Sequence, residues 1–290
     1  MGLRAGAAED FSHSGNVTRS ARSYDRAVLP EGIVMRSRQE VPIPRAPPIA
    51  VRRHLRAEVG FGCPLCGSPH LEYHHFDPPF GERAHHDPKG MIALCATHHA
   101  QANAYTIEQM RGLKRSSNQT VNSRFLWRRK HTVFVCGSNY SYKCKYMLTA
   151  SGIAIVYFEE DENGYDTLSL NVYDCCFNRA FIMRRNDWIS HTDMDDIDAP
   201  PSARTLNIRS KIRGVRLDLE FKDRPSLNQI ELAKCIELGI PENENVIFCY
   251  LNGHLAAPIP VSFTPDGVNV GRLTLSGNTM SHCEGGIELR

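Results

Sequence analysis

The chain has 290 residues, with 34 Lys or Arg, 32 Asp or Glu and a formal net charge of +2. At about 100–200 residues per domain, that length predicts one large or two ordinary domains. With 41% hydrophobic and 23% charged residues, the composition is that of a globular protein, not of a disordered or fibrous one. No run reaches the ~18 apolar residues of a membrane span. The opening Met1–Gly15 lacks an apolar secretory core, and Gly6 stands where a myristoylation signal needs Ser or Thr. The expectation is therefore a cytoplasmic protein with no membrane partner.

In chain order, residues 1–48 are rich in Arg, Ser, Gly and Pro without periodicity, which predicts a disordered basic arm. It ends in a semi-rigid linker, Val41–Pro48. Pro48 suits a helix entry, and Val51, Leu55 and Val59 recur at helical spacing, which predicts a helix over Ile49–Val59 stopped by Gly60 and Gly62. A segment dense in Cys and His follows, from Cys63 to Asn103, with one predicted strand at Leu71–Phe76. Thr106 then reads as the N-cap of a helix carrying Ile107, Met110 and Leu113.

After Asn118 the pattern becomes strand-like, at Thr132–Val135, Ile153–Phe158, Thr167–Tyr173, Arg179–Met183, Val215–Phe221 and Val246–Leu251. Asn163-Gly164, Asn252-Gly253 and Asp266-Gly267 read as hairpin turns. One helix, Asn228–Leu238, is closed by Gly239 and Pro241. The division is an arm at 1–48, a Cys/His domain at 49–118 and a mostly β domain at 119–290. The predicted class is α+β.

The small net charge hides a polar split. Residues 104–150 hold nine basic residues and one acidic, a net +8, whereas residues 151–290 hold 13 basic and 21 acidic, a net −8. A basic stretch beside the Cys/His segment predicts a phosphate-binding surface through Arg111, Lys114, Arg115, Arg124, Arg128, Arg129 and Lys130. Phe125 and Trp127 lie among these charges, where aromatic rings could stack on unpaired bases. The acidic run Asp193–Asp198 reads as an exposed loop.

Cys63-Pro-Leu-Cys66 and Cys95-Ala-Thr-His98 supply four thiolate or imidazole ligands, a set that suits a closed, structural Zn²⁺ site. His99 is the alternative fourth ligand. The other seven of the ten cysteines read as small buried hydrophobes. His74 and His75 are adjacent on the predicted strand, so their rings face opposite sides. His99 and Asn103 are four residues apart and would share one face of a continuous helix.

The residues Cys63-x2-Cys66, Tyr73-His74-His75-Phe76, Ile92–Cys95 and Cys95-x2-His98-His99 resemble the HNH, or ββα-metal, nuclease family. The likeness covers about Val51 to Lys114. The His86-Asp87-Pro88 element is similar to one found in bacterial zinc-knuckle members. The resemblance implies a zinc-stapled ββα-metal, treble-clef-like domain that cuts DNA, with RNA as the alternative substrate. It implies His75 as general base and His74, His99 and Asn103 as ligands of a catalytic Mg²⁺, Mn²⁺, Ni²⁺ or Zn²⁺ ion. One position departs: the family's middle asparagine aligns with Gly90, and His86 is the first candidate to replace it, ahead of Asp87 and Lys89.

The sequence thus predicts a metal-dependent phosphodiester hydrolase, such as a bacterial restriction or phage-defence effector. Residues 119–290 are expected to recognise a site, bind a regulatory ligand or protein, or form a homo-oligomer. The alternative is a decayed zinc module that binds nucleic acid or a protein partner without cleaving.

Overall fold

Helix α1 (Ile49–Glu58) is the first helix or strand among the described residues of the computed structural model, which are 42–116, 122–125, 127, 129–189, 194–211 and 214–290. Of the arm and linker expected at 1–48, residues 1–41 lie outside the described residues, and 42–48 form no helix or strand. Leu55 and Val59 are fully buried, as the helical spacing requires. Strands β1 (Leu71–His75) and β2 (Met91–Cys95) then form an antiparallel pair in the register His74↔Ile92 and His75↔Met91. Helix α2 (Ala96–Ala100) follows β2 directly, so the element order here is strand, strand, helix. Helix α3 (Ile107–Ser116) is capped by Thr106: its hydroxyl accepts from the Gln109 N–H, and its own N–H donates to the Gln109 side chain.

These elements share a core of Leu55, Val59, Cys63, Leu71, Phe76, Met91, Ile92, Leu94 and Met110. Full burial of each Leu, Ile or Met contributes about 1.5–3 kcal/mol, so the small unit has a real hydrophobic centre besides its cysteines.

The rest of the chain is mostly β, arranged in two sheets. The first has the strand order Gly285–Leu289, Tyr146–Ala150, Ile153–Glu160, Asp166–Tyr173, Arg179–Arg184, Asp187–Ile189, Asn122–Arg124. The second runs Asp196–Asp198, Thr205–Ser210, Val215–Asp223, Val246–Leu255, Val261–Thr264, Gly267–Val270, Leu273–Leu275. His131–Cys136 adds to it in parallel with Val246–Leu255, and Asn139–Tyr142 pairs with His131–Cys136. Leu168, Leu170 and Phe181 from the first sheet and Leu217, Leu219 and Phe263 from the second belong to one buried core, as in a sandwich. Helix α4 (Gln229–Glu237) covers a smaller cluster with Val133 and Phe248, and Asn228 and Glu231 form a reciprocal capping box at its start.

The last strands keep one register across both sheets. Thr279–Ser281 pairs in parallel with Asn139–Tyr142 in the second sheet, with Thr279↔Tyr140 and Ser281↔Tyr142. Gly285–Leu289 continues in parallel with Tyr146–Ala150 in the first, with Gly285↔Tyr146 and Ile287↔Leu148.

Several expectations fail. Asn252-Gly253 is no turn but lies inside the strand Val246–Leu255, because a Cβ at Gly253 would sit 1.9 Å from the Arg216 carbonyl oxygen. That close strand approach, not a reversal, requires the glycine. Phe125 and Trp127 are buried in the sandwich core and cannot stack on bases. Asp196 is buried within a strand, so the acidic run is not a free loop; Asp193 lies outside the described residues. Cys175 and Cys176 are exposed in the turn after Asp166–Tyr173, not packed in a sheet.

Residues Ile43–Arg290 make one compact unit. No helix among the described residues is long and apolar enough to cross a membrane.

Candidate metal centre and histidine cluster

The two knuckles converge. Cys63 and Cys66 flank a tight turn in which the Gly67 N–H donates to the Cys63 carbonyl at 2.7 Å and the Cys63 N–H to Ser68 at 2.8 Å. Gly67 has φ of +74°, a left-handed value that glycine adopts without strain. Cys95 ends β2 and His98 lies one turn into α2. The ligand atoms of Cys63, Cys66, Cys95 and His98 all lie within 4.8 Å of one another. His98 Nδ1 is 3.2 Å from Cys95 Sγ and 3.4 Å from Cys63 Sγ. The cluster could hold a metal ion, and three thiols with one imidazole are a donor set that Zn²⁺ prefers. His98, not His99, completes it.

His99 turns the other way. Its ring meets that of His74 edge-on, with centroids 5.3 Å apart, and its Nδ1 is 3.4 Å from the Glu72 carboxylate. Burial, reinforced by the neighbouring His99, holds the His74 imidazole below the usual histidine range. Asn103 does not continue the α2 face: that helix ends at Ala100, and Asn103 is exposed in a separate 3₁₀ turn, Ala102–Ala104. The expected one-helix pairing of His99 with Asn103 is therefore not what forms.

His75 points to the opposite side of β1 and is 6% exposed. Its Nε2 lies 3.0 Å from the His85 carbonyl oxygen. A carbonyl only accepts, so Nε2 carries the proton and Nδ1 of the neutral ring is left as acceptor. Burial pushes the His75 imidazole down to about 4, against the upward pull of that carbonyl, so the ring is neutral at pH 7.

Sequence reasoning missed His85. Its Nε2 donates to the Pro78 carbonyl at 2.9 Å, and its Nδ1 accepts from the Asp87 N–H at 3.1 Å. One imidazole thus ties both sides of the loop behind His75, while its own carbonyl orients the His75 ring. His86, the candidate expected for that task, instead stacks near Phe80 with its ring centre 5.9 Å from that of His75. Both His86 ring nitrogens are buried without a hydrogen-bond partner among the described residues.

Gly90 has a backbone reason to be glycine. A Cβ there would lie 1.9 Å from the Asp77 carbonyl oxygen, because the Phe76 and Asp77 N–H groups both donate to the Gly90 carbonyl. No asparagine fits at that position. The only signal in the sequence was the run of two histidines, His85-His86, and it does not say which ring closes the loop.

The expected basic surface is divided. Arg111 is exposed and pairs with Asp77; Lys114 is half-buried, bound to Glu58 at 2.9 Å and to the Pro88 carbonyl at 2.6 Å. Arg129 pairs with Asp223 at 3.3 Å, and Lys130 stands over the Tyr165 ring at 5.9 Å. Both border an open cavity of about 510 Å³ that also includes Arg224. Arg128 lies outside the described residues, as do the side chains of Arg115 and Arg124.

The Cys/His unit is locked to the sheets. His70 Nδ1 lies 3.0 Å from the carbonyl oxygens of both Ala199 and Pro200, and Phe61 joins the sandwich core. Comparison with family models, curated proteins and solved structures finds no match to the chain.

Proposed function

We propose that the chain is a metal-dependent endonuclease of the HNH type, hydrolysing phosphodiester bonds in DNA. The observation that carries this reading is the tautomer of His75. A buried, neutral imidazole is held by the His85 carbonyl so that Nδ1 is its acceptor, one residue along β1 from His74, which meets His99 on the other side of the strand. An oriented neutral histidine is the group that phosphodiester hydrolysis needs to take a proton from water.

His74 and His99 would hold the catalytic cation, for which Mg²⁺, Mn²⁺, Ni²⁺ and Zn²⁺ are candidates. Such an ion supplies Lewis acidity at a phosphoryl oxygen and the departing oxygen. His75 accepts the proton of the attacking water. His85 keeps the His75 ring from rotating. Cys63, Cys66, Cys95 and His98 would hold a structural Zn²⁺, tying the first knuckle to the end of β2, which carries Cys95, and to α2, which carries His98 and His99. Arg111 and Lys130 are exposed cations suited to phosphate contact. Residues 119–290 would act as a recognition or regulatory part.

The test is incubation of the protein with plasmid, single-stranded DNA and RNA across Mg²⁺, Mn²⁺, Ni²⁺ and Zn²⁺, with an EDTA control. Metal-dependent cutting supports the reading. Binding without cutting under every metal selects the second reading, a zinc module that holds nucleic acid or a protein partner. The separation of Asn103 from the α2 face favours that second reading, since it leaves His74 and His99 with fewer companions.

A further inference from the structure

Two cysteines that the metal centre does not use face each other at the crossing between the sheets. Cys144 Sγ and Cys283 Sγ are 3.0 Å apart although 139 residues separate them. They stand in the same register as the flanking parallel pairs, two residues before Tyr146 and Gly285, where the C-terminal segment passes from the second sheet to the first. The Lys145 N–H donates to the Cys283 carbonyl at 3.0 Å, so the backbones are already fixed beside each other. Cys144 is buried and Cys283 is half-exposed. Both border a cavity of about 440 Å³ whose wall also holds His282, Lys143 paired with Glu160 and Asp166, and Lys145 paired with Glu284.

We propose that Cys144 and Cys283 form a thiol–disulfide exchange site, oxidised by a small disulfide of the glutathione class that reaches Cys283 through this cavity. Cys283 is the sulfur open to the cavity, so its thiolate attacks one sulfur of the small disulfide. That S–S bond breaks, and the departing thiolate takes up a proton. Cys144 then loses its proton to solvent and attacks Cys283 Sγ, forming the Cys144–Cys283 bond and releasing the second small thiol. Two protein thiols are oxidised and one small disulfide is reduced to two thiols. Burial pushes the Cys144 thiol up, so little of it is thiolate; the second step proceeds because the mixed disulfide on Cys283 is held directly against it. The product ties residues 278–289 to 139–150 at the point where that parallel pair changes sheets.

The experiment treats the reduced, zinc-loaded full chain with rising ratios of oxidised to reduced glutathione, at ratios that leave the zinc content unchanged. Thiols are trapped in acid and mapped by peptide mass. The expected result is a Cys144–Cys283 link, reversed by reduced glutathione, with slower amide exchange over residues 285–289. Cys144→Ser should stall as a mixed disulfide on Cys283, and Cys283→Ser should give neither link nor adduct at Cys144. Cys144→Ala provides a second variant if the serine is poorly tolerated in its buried site. The exposed Cys175 and Cys176 report that the oxidant is active. Recovery of Cys144 and Cys283 as free thiols at ratios that oxidise those two would overturn the proposal.

Discussion

The Arg56 guanidinium grips the Asp196 carboxylate with two parallel hydrogen bonds, Nε to Oδ1 and Nη2 to Oδ2, each 2.9 Å, and both side chains are almost fully buried. Arg56 also reaches the Tyr73 hydroxyl and lies 3.4 Å from Asp198. The pair joins α1 to the edge of the second sheet, next to the strand that carries His74. Removing either partner leaves the other a weaker companion, Arg53 at 3.2 Å from Asp196 or Asp198 at 3.4 Å from Arg56, so the loss lies at or below the low end of the about 3–5 kcal/mol of a broken buried pair. Arg56→Ala and Asp196→Asn should each lower stability by that order in chemical denaturation. A double Arg56→Met, Asp196→Leu variant should cost much less than the two single losses added. Purely additive losses would mean the pair is not coupled.

Loss of a thiol ligand should act locally. Zinc supplies ~10 kcal/mol or more in small metal-organised domains. Cys63→Ser or Cys95→Ser should therefore open residues 50–116 to limited proteolysis while the sheets resist. Metal analysis of the unaltered protein should find one tightly held zinc per chain, and its absence would remove the basis for the whole site.

His75→Ala should lower DNA cleavage by about 10²–10⁴-fold, the usual contribution of a positioned base, with zinc content and DNA affinity retained. His85→Ala should give a smaller fall in kcat at unchanged affinity, because the carbonyl that orients His75 survives while the ring that ties the loop is gone. If His75→Ala cuts at the unaltered rate, the ring has no part in proton transfer.

Gly90→Asn would restore the residue type of the HNH pattern, yet it should damage the protein. The added Cβ would collide with the Asp77 backbone, and overpacking of that kind costs about 1–3 kcal/mol or more. Thermal melting of the variant decides this: an undiminished Tm would show that the hairpin can open to admit a side chain.

DNA affinity should fall with salt, with each phosphate contact contributing about 0.9 to the log–log slope. Lys130→Glu and Arg111→Glu should each flatten that slope and weaken all sequences alike. A slope unchanged by both would move the phosphate contacts elsewhere.

Local signals in the sequence reached some features and stopped short of others. The helical spacing of Val51, Leu55 and Val59, and the stop at Gly239 and Pro241, located α1 and α4 because helix ends are written in a few neighbouring residues. The spacing of the cysteines sufficed for the metal cluster. By contrast, Asp196 looked like part of a solvated loop because its partner is 140 residues away. Phe125 and Trp127 looked accessible because arginines flank them, whereas sheet packing decides where their rings go. The choice of His85 over His86 rests on which ring meets Pro78 and Asp87, a matter of loop geometry that composition does not record.

The pairing of residues 278–289 with 139–150 also sets an order for biogenesis. At about 5–20 residues per second, a ribosome needs roughly 7–30 s to make the 139 residues between partners. The Cys/His unit emerges early and can capture its metal while the sheets are still being made. Residues 139–150 must wait with one edge bare until the final strand is released. A chaperone that shields nascent β edges should therefore associate with chains stalled after residue 150 and dissociate once residue 289 has cleared the exit tunnel.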